Sequence, residues 1–372
     1  MARDILLYGT LRNPGHLSAV LGHDIRPLRE DRLPGHAVRT DAARKGFPVL
    51  VADEEEAAPG AVVRAGGEDL ARLDWYEAAF GRDRRVVTLA SGARVDAYWP
   101  SELGTAVRPW DLATWTGEWG AAVEAAAREA MTLYPGTAPG DMGRRFGMVL
   151  SRACSRLRAG AEAAPGAVRR GAGRKGIRLS RSMPRHNGFF ALDEMHLDHR
   201  RFDGGREEVV REVFVGTDAT LVLPYDPVRD EVVLIEQFRS GPFRRGDPHP
   251  WCLEPVAGLI DPGEGPEECA RRETREEAGL ALSAVVAVPG GYPSPGATTE
   301  FYYLYVGLAE LADYRPRTTG MDDEGEDILT HVLSLEAALG LLETGEARVL
   351  PLAYLLTWTA AHRDRLRAAS GH

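Results

Sequence analysis

Glu273, Glu276 and Glu277 follow directly on Arg272, between Pro266 and Gly279. A proline suits the first turn of a helix and a glycine its end, so the spacing predicts a helix over residues 266–278. At 3.6 residues per turn the three carboxylates stand at i, i+3 and i+4 on one face. Like charges so placed repel unless something answers them. A hard divalent cation does, because Mg²⁺ takes carboxylate oxygens, keeps some of its water and bridges to phosphate oxygens. Arg272 supplies a positive partner that orients one carboxylate. The residues therefore point to cation-held phosphate chemistry.

A second acidic group, Asp322, Asp323, Glu324, Glu326 and Asp327, lies between Gly320 and Ile328. A mobile loop of this kind brings a carboxylate over a site only after substrate and cations bind, which keeps idle hydrolysis low. The same composition also suits a solvated surface loop.

The surrounding elements must hold these groups in place. Residues 219–223 and 231–236 read as adjacent strands joined by a turn through Asp226, Pro227 and Asp230. Residues 301–306 read as another strand, and helices over 334–342 and 351–365 close the chain. The first hundred residues read as α+β. A short strand over 4–7 runs into the turn Tyr8, Gly9, Thr10, Leu11. Further strands are expected over 47–51, 60–63 and 85–89, with a short helix over 67–76. A helical period follows from residue 109 to about 159. Trp115, Trp119, Val123 and Ala127 share one face, and Met142, Phe146, Val149 or Leu150, and Leu157 share another. Residues 159–176 have no period and read as a flexible linker. Arg169, Arg170, Arg174, Lys175, Arg178, Arg181 and Arg185 crowd its end as solvated basic surface. The expected division is 1–105, a helical connector 106–160, a linker 161–178, and 179–372.

Gly258, Glu264, Arg272, Glu273, Glu276, Glu277, Gly279 and Leu280 meet every fixed position of a pattern that resembles the Nudix box, G-x5-E-x7-R-E-U-x-E-E-x-G-U. Thr274 is the one soft departure, where that family carries an aliphatic residue. The resemblance implies a Nudix hydrolase with an α/β/α sandwich and a loop-helix that holds Mg²⁺ or Mn²⁺ against a diphosphate. Glu273 and Glu277 would be the principal metal ligands, Glu276 a further one, and the Ala257 carbonyl would complete the site. Neighbouring features resemble the ADP-ribose pyrophosphatase branch. Pro295, 16 residues after Gly279, lies between Ser294 and Gly296, with Glu300 on the same loop. Arg239, at the end of Leu234–Phe238, and Arg211 match arginines that lie by the diphosphate; a structural salt bridge is the other reading of Arg211. In the acidic loop, Glu324 would be the general base and Glu326 a member of the metal cluster. That branch forms homodimers and releases AMP and ribose 5-phosphate from ADP-ribose. Another nucleoside diphosphate linked to X is the alternative substrate.

Tyr8, Gly9, Thr10 and Leu11 after the first strand, with Leu73, Asp74, Tyr76 and Glu77 further on, resemble the γ-glutamylcyclotransferase (AIG2-like) family. The resemblance implies a mixed β-barrel domain. Its chemistry closes 5-oxoproline from a γ-glutamyl amine and expels the amine. The turn over residues 8–11 would present N–H groups to the substrate's carboxylate or to the oxyanion. Glu77 would carry the proton from the attacking to the leaving amine. Ala78 and Phe80 stand where the pattern has Gly and Tyr, which puts substrate choice in question, and a domain kept for binding without catalysis is the rival reading. The whole order of parts resembles Nudix proteins associated with tellurite resistance.

Composition narrows the rest. A net charge of −10 argues against a nucleic-acid-binding surface. Three cysteines without a CxxC pair argue against a disulfide framework and for a cytoplasmic setting. No apolar stretch approaches the ~20 residues that cross a bilayer.

Overall fold

A computed structural model describes residues 2–40, 47–101, 103, 108–163, 166–169, 171–321 and 325–369. Arg170, Asp322, Asp323 and Glu324 lie outside the described residues. The chain divides into two compact units, Met1–Val210 and Arg211–His372.

In the first unit a six-stranded sheet contains β1 (Arg3–Leu7), β2 (Arg29–Thr40), β3 (Pro48–Ala65), β4 (Arg82–Thr88), β5 (Arg94–Pro100) and β6 (Arg108–Pro109). The order is β4-β5-β1-β3-β2-β6, with β1 parallel to β5 and antiparallel to β3. The Ala90 N–H donates to the Arg32 carbonyl at 2.9 Å, so the sheet curls back on itself after β4. Side chains alternate across β1 and both faces are buried. Ile5 and Leu7 join a core against the helices, whereas Leu6 packs with Leu50, Val62 and Val95 on the other side. The helices are α1 (Pro14–Leu21), α2 (Glu68–Ala78), α3 (Leu112–Trp115), α4 (Ala121–Met131) and α5 (Pro139–Ala161).

Two expectations need correction here. The strands expected over 47–51 and 60–63 are one strand, β3. Its acidic middle stays extended because β2 pairs along its length, with a register shift at His36. Leu157, expected on a buried face, is 43% exposed because α5 outruns the core; its buried residues end at Ser155. The compact units part at Val210, so the segment expected from residue 179 onward is shared between them. Residues beyond the linker form a three-stranded sheet, β7 (Ile177–Asn187), β8 (Ala191–Arg200) and β9 (Arg206–Val215). Arg152, a fully buried cation, explains why the β7–β8 hairpin belongs to the first unit. Its guanidinium pairs with Glu129 at 2.6 Å and donates to Phe189 O and Asn187 Oδ1, both at 3.3 Å. Part of the basic run is consumed in the same sheet, since Arg185 pairs with Glu194 at 2.6 Å.

His16 makes the first unit sensitive to acid. It is buried, with Nε2 3.0 Å from the Tyr76 hydroxyl, and burial pushes its pKa down to about 4. The unfolded chain therefore binds more protons between pH 6.5 and about 4. Stability from neutral His16 is fully present above that window and is lost as pH falls through it, by roughly 3 kcal/mol in all. Five of the seven tryptophans lie in this unit, so tryptophan fluorescence reports its melting. The wild-type transition is expected to fall across this window, and His16→Gln is expected to flatten the fall; an unchanged slope would remove His16 as its cause.

The second unit is built on β10 (Ala219–Asp226), β11 (Glu231–Phe238), β12 (Trp251–Glu254), β13 (Val256–Leu259), β14 (Ala284–Gly291), β15 (Tyr302–Leu308), β16 (Thr318–Thr319) and β17 (Ile328–Ser334). The order is β14-β15-β10-β11-β17-β16, with β12 on β11 and β13 on β10. Helices α6 (Ser240–Arg245), α7 (Pro266–Glu277), α8 (Leu335–Thr344), α9 (Leu350–Ala361) and α10 (Arg363–Ala369) complete it. The helix expected over 351–365 is thus interrupted, with His362 at φ −119°, ψ 19°. Strand β10 is buried along its whole length. Leu221, Leu223 and Tyr225 pack with Leu352 and Leu355 of α9, while Val222 packs with Ala270 of α7. This is an α/β/α sandwich with α7 on one face. Among the described residues no helix is long and apolar enough to cross a membrane.

Candidate active site

Helix α7 starts where Pro266 needs no N–H partner, and Glu268 Oε2 accepts from the Gly265 N–H at 2.8 Å. It ends at Gly279, whose φ of +59° suits a glycine. Cys269, Ala270, Thr274 and Glu277 form the buried side of the helix. Thr274, fully buried, satisfies its hydroxyl by donating to Ala270 O at 2.7 Å, so a polar residue is tolerated at an aliphatic position.

Arg272 organises the carboxylates. Its Nε and Nη2 fork onto the two oxygens of Glu264, each at 2.9 Å. Nη1 donates to Glu273 Oε1 at 2.7 Å and to Glu276 Oε2 at 3.0 Å. Gly258, on β13, is required by the same geometry, because a Cβ there would lie 2.0 Å from the Glu273 carboxyl carbon. Glu277 is different. It is 2% exposed, and its side chain accepts from the Ala257 N–H at 2.9 Å. Burial holds its pKa well above the ordinary carboxylate value, and the charges of Glu273 and Glu326 push the same way. Arg239 opposes this from a distance, its own guanidinium fixed to Glu254 by two bonds of 2.8 and 2.7 Å. Burial also raises Glu300, and it pushes the Tyr302 phenol up to about 12.

Among the described residues no three Asp, Glu, His or Cys side chains are grouped as a ready metal cage. Glu273 and Glu276 turn to Arg272, and Glu277 turns to Ala257 N. The donor set nonetheless fits a hard cation: all oxygens, on one helix face, with a buried carboxylate whose acidic neighbours oppose its charge.

The first unit holds a second site. A cavity of about 30 Å³ is lined by Leu6 to Leu11, Val38, Pro48, Glu77, Arg82 and Tyr98. Glu77, on α2, is buried and pairs with Arg82 Nη1 at 2.9 Å. The Tyr8 hydroxyl donates to Tyr98 O, and Tyr98 in turn donates to Asp74 Oδ1 at 2.9 Å. Helix α5 braces the end of α2 so closely that a Cβ at Gly143 would lie 2.0 Å from Ala79 O.

Comparison with known proteins finds one family around each site. A family profile described as NUDIX domain matches residues 217–353, and one described as Gamma-glutamyl cyclotransferase, AIG2-like, matches residues 5–119. The ADP-ribose pyrophosphatase of Escherichia coli (strain K12) is 42% identical over 183 residues, 49% of this chain and 87% of that protein. The chain belongs to the Nudix hydrolases. A second ADP-ribose pyrophosphatase, from Haemophilus influenzae (strain ATCC 51907 / DSM 11121 / KW20 / Rd), is 37% identical over 41% of this chain and 71% of its own length. A GDP-mannose pyrophosphatase from Enterobacter sp. (strain 638) is 35% identical over 42% of this chain and 81% of its own length. The activity class that follows is that of a Nudix pyrophosphatase.

Within the Nudix domain the structure brings Ala257, Glu273, Glu276 and Glu277 to the junction of β13 and α7, with Arg239 and Glu326 near enough to act on Glu277 electrostatically. Glu326 Oε2 also accepts from the Met321 N–H at 3.3 Å. Ser294 is exposed; its carbonyl accepts from the Ala297 and Thr298 N–H groups, both at 3.0 Å. That loop is tied to the end of β9 by Phe214 N–H to Ala297 O at 2.8 Å, and Arg211 stands exposed three residues earlier. Glu324 lies outside the described residues. Sequence reasoning missed Glu254, Tyr302 and Arg82. Glu254 is four residues before Gly258, but only the β11–β12 pairing puts it against Arg239.

Proposed function

We propose that the Nudix domain hydrolyses the diphosphate of ADP-ribose, giving AMP and ribose 5-phosphate, with Mg²⁺ or Mn²⁺ as cofactor. The observation that carries the reading is Glu277, a buried carboxylate with acidic neighbours that a cation would relieve. Glu273, Glu276, Glu277, Glu326 and the Ala257 carbonyl would hold the ion. When bound, it supplies charge neutralisation at the phosphate oxygens and a more acidic water. Arg272 keeps Glu273 and Glu276 oriented before binding, and Glu254 holds the Arg239 guanidinium in one plane for the diphosphate. Glu300, Ser294 and Arg211 are assigned to substrate binding and Glu324 to proton abstraction from water. The higher identity to ADP-ribose pyrophosphatases, 42% against 35%, favours ADP-ribose over GDP-mannose or another nucleoside diphosphate linked to X. Removal of divalent ions with EDTA is expected to abolish AMP formation from ADP-ribose, and Mg²⁺ to restore it. AMP formation that persists through chelation would sink the metal assignment.

A second reading concerns the first unit, favoured by the placement of Glu77 inside a cavity walled by the Tyr8 to Leu11 turn. There the α-amine of a γ-glutamyl amine attacks the γ-amide carbon, the bond to the leaving nitrogen breaks, and Glu77 passes the proton between the two nitrogens. The products are 5-oxoproline and the free amine. Glu77→Gln is expected to stop 5-oxoproline release and leave ADP-ribose hydrolysis unchanged. If wild type releases none, the domain binds without turnover. We also propose a homodimer, supported by Phe189, Phe190 and Phe202 standing exposed on or beside the β7–β9 sheet. Sedimentation at micromolar concentration is expected to give a dimer; a monomer there would refute it.

A further inference from the structure

Glu77 and Arg82 put one buried carboxylate and one guanidinium into the same small cavity. Desolvating both charges costs more than an apolar pair of the same volume would, so stability alone is a poor reason for them. The backbone fixes the pair. The chain leaves α2 just after Glu77, reverses at Gly81 with φ +70°, and enters β4 at Arg82, which pairs with Pro100 of β5. The Arg82 side chain makes one hydrogen bond among the described residues, from Nη1 to Glu77 Oε2. A guanidinium carries five N–H donors in a planar fork matched to a carboxylate. A neighbouring anion and cation are complementary to an α-amino acid, which carries an amino group and a carboxylate on one carbon.

We propose that Arg82 is the specificity-determining residue of this cavity: it receives the α-carboxylate of the ligand while Glu77 faces its amino nitrogen. The ligand class, a γ-glutamyl compound, rests on the second reading above, but the carboxylate assignment does not require turnover. It also divides the work of the site. With the carboxylate on Arg82, the turn from Tyr8 to Leu11 is left to the carbonyl oxygen.

The test uses the full chain and two probes of one shape, 5-oxoproline and its carboxamide, with binding followed by calorimetry. Wild type is expected to bind the acid at least about thirtyfold tighter, as charge-assisted hydrogen bonds imply. Arg82→Gln is expected to bring the ratio within about threefold, because a neutral amide lacks the charge. Arg82→Lys, which keeps the charge without the fork, is expected to keep part of the preference and covers the case in which the Gln variant does not fold. Glu77→Gln is expected to keep the preference. If Arg82→Gln weakens acid and amide alike, and Glu77→Gln does the same, Arg82 only positions Glu77 and the proposal is overturned. It is overturned equally if wild type binds neither probe or does not distinguish them. If the preference is present and depends on Arg82 while no γ-glutamyl amine is turned over, the proposal stands and the cyclotransferase reading falls.

Discussion

Glu277→Gln is expected to lose at least about a thousandfold in ADP-ribose hydrolysis with Mg²⁺, the rate equivalent of the several kcal/mol that a bound cation contributes. The same substitution is expected to raise the melting temperature of the metal-free protein at pH 8. Glu277 has a folded pKa above its unfolded value, so the folded state binds the extra proton. Stability tied to that proton is present below the ordinary carboxylate range and is lost as pH rises through the folded pKa. A glutamine has no such loss. Melting curves without and with Mg²⁺ check both halves: the variant is the more stable without metal, and the wild type gains more when Mg²⁺ is added. A variant less stable than wild type without metal would mean that Glu277 is not strained by its charge.

Arg272→Gln is expected to destabilise the Nudix domain by about 3 kcal/mol, within the range for removing one partner of a buried pair and discounted for partial exposure. Its fork to Glu264, whose side chain is 10% exposed, is the bond most costly to lose. In a domain of this size the melting temperature would fall by roughly 6–12 °C. Activity is expected to fall as well, by about 10–100-fold at limiting Mg²⁺, because the groups that orient ligands commonly matter that much. Arg272→Lys keeps the charge but not the fork and is expected to recover less than half of either effect. Thermal melts and a Mg²⁺ titration of the initial rate separate the two losses; a variant with unchanged melting would show that the Glu264 fork contributes nothing to stability.

The carboxylate helix was legible because its chemistry is local. Glu273, Glu276 and Glu277 are brought together by helical period alone, and proline and glycine mark its ends. Arg239 and Ala257 came only through resemblance, since the contacts that place them cross strands. What periodicity could not show is the neighbour that each side chain meets. Glu254 reaches Arg239 through the β11–β12 register, and Arg82 reaches Glu77 through a turn at Gly81 with no spacing rule of its own. The bounds of β7, β8 and β9 are not legible in the sequence for a different reason. Its strands bury few residues, so the alternation of apolar and polar positions that marks a strand is weak there. The buried Arg152 that anchors the hairpin lies in a helix whose period predicts burial of a face, not burial of a cation.

Cleavage of ADP-ribose by the Nudix domain is open to direct test. The most direct measurement is kcat/KM of the wild-type chain with Mg²⁺ for ADP-ribose beside GDP-mannose, ADP-glucose, NADH and a nucleoside triphosphate. ADP-ribose is expected to be preferred by at least about tenfold, a difference of about 1.4 kcal/mol in transition-state binding. A preference of that size for any of the other four would contradict the substrate assignment, and cleavage of none of them would contradict the activity itself.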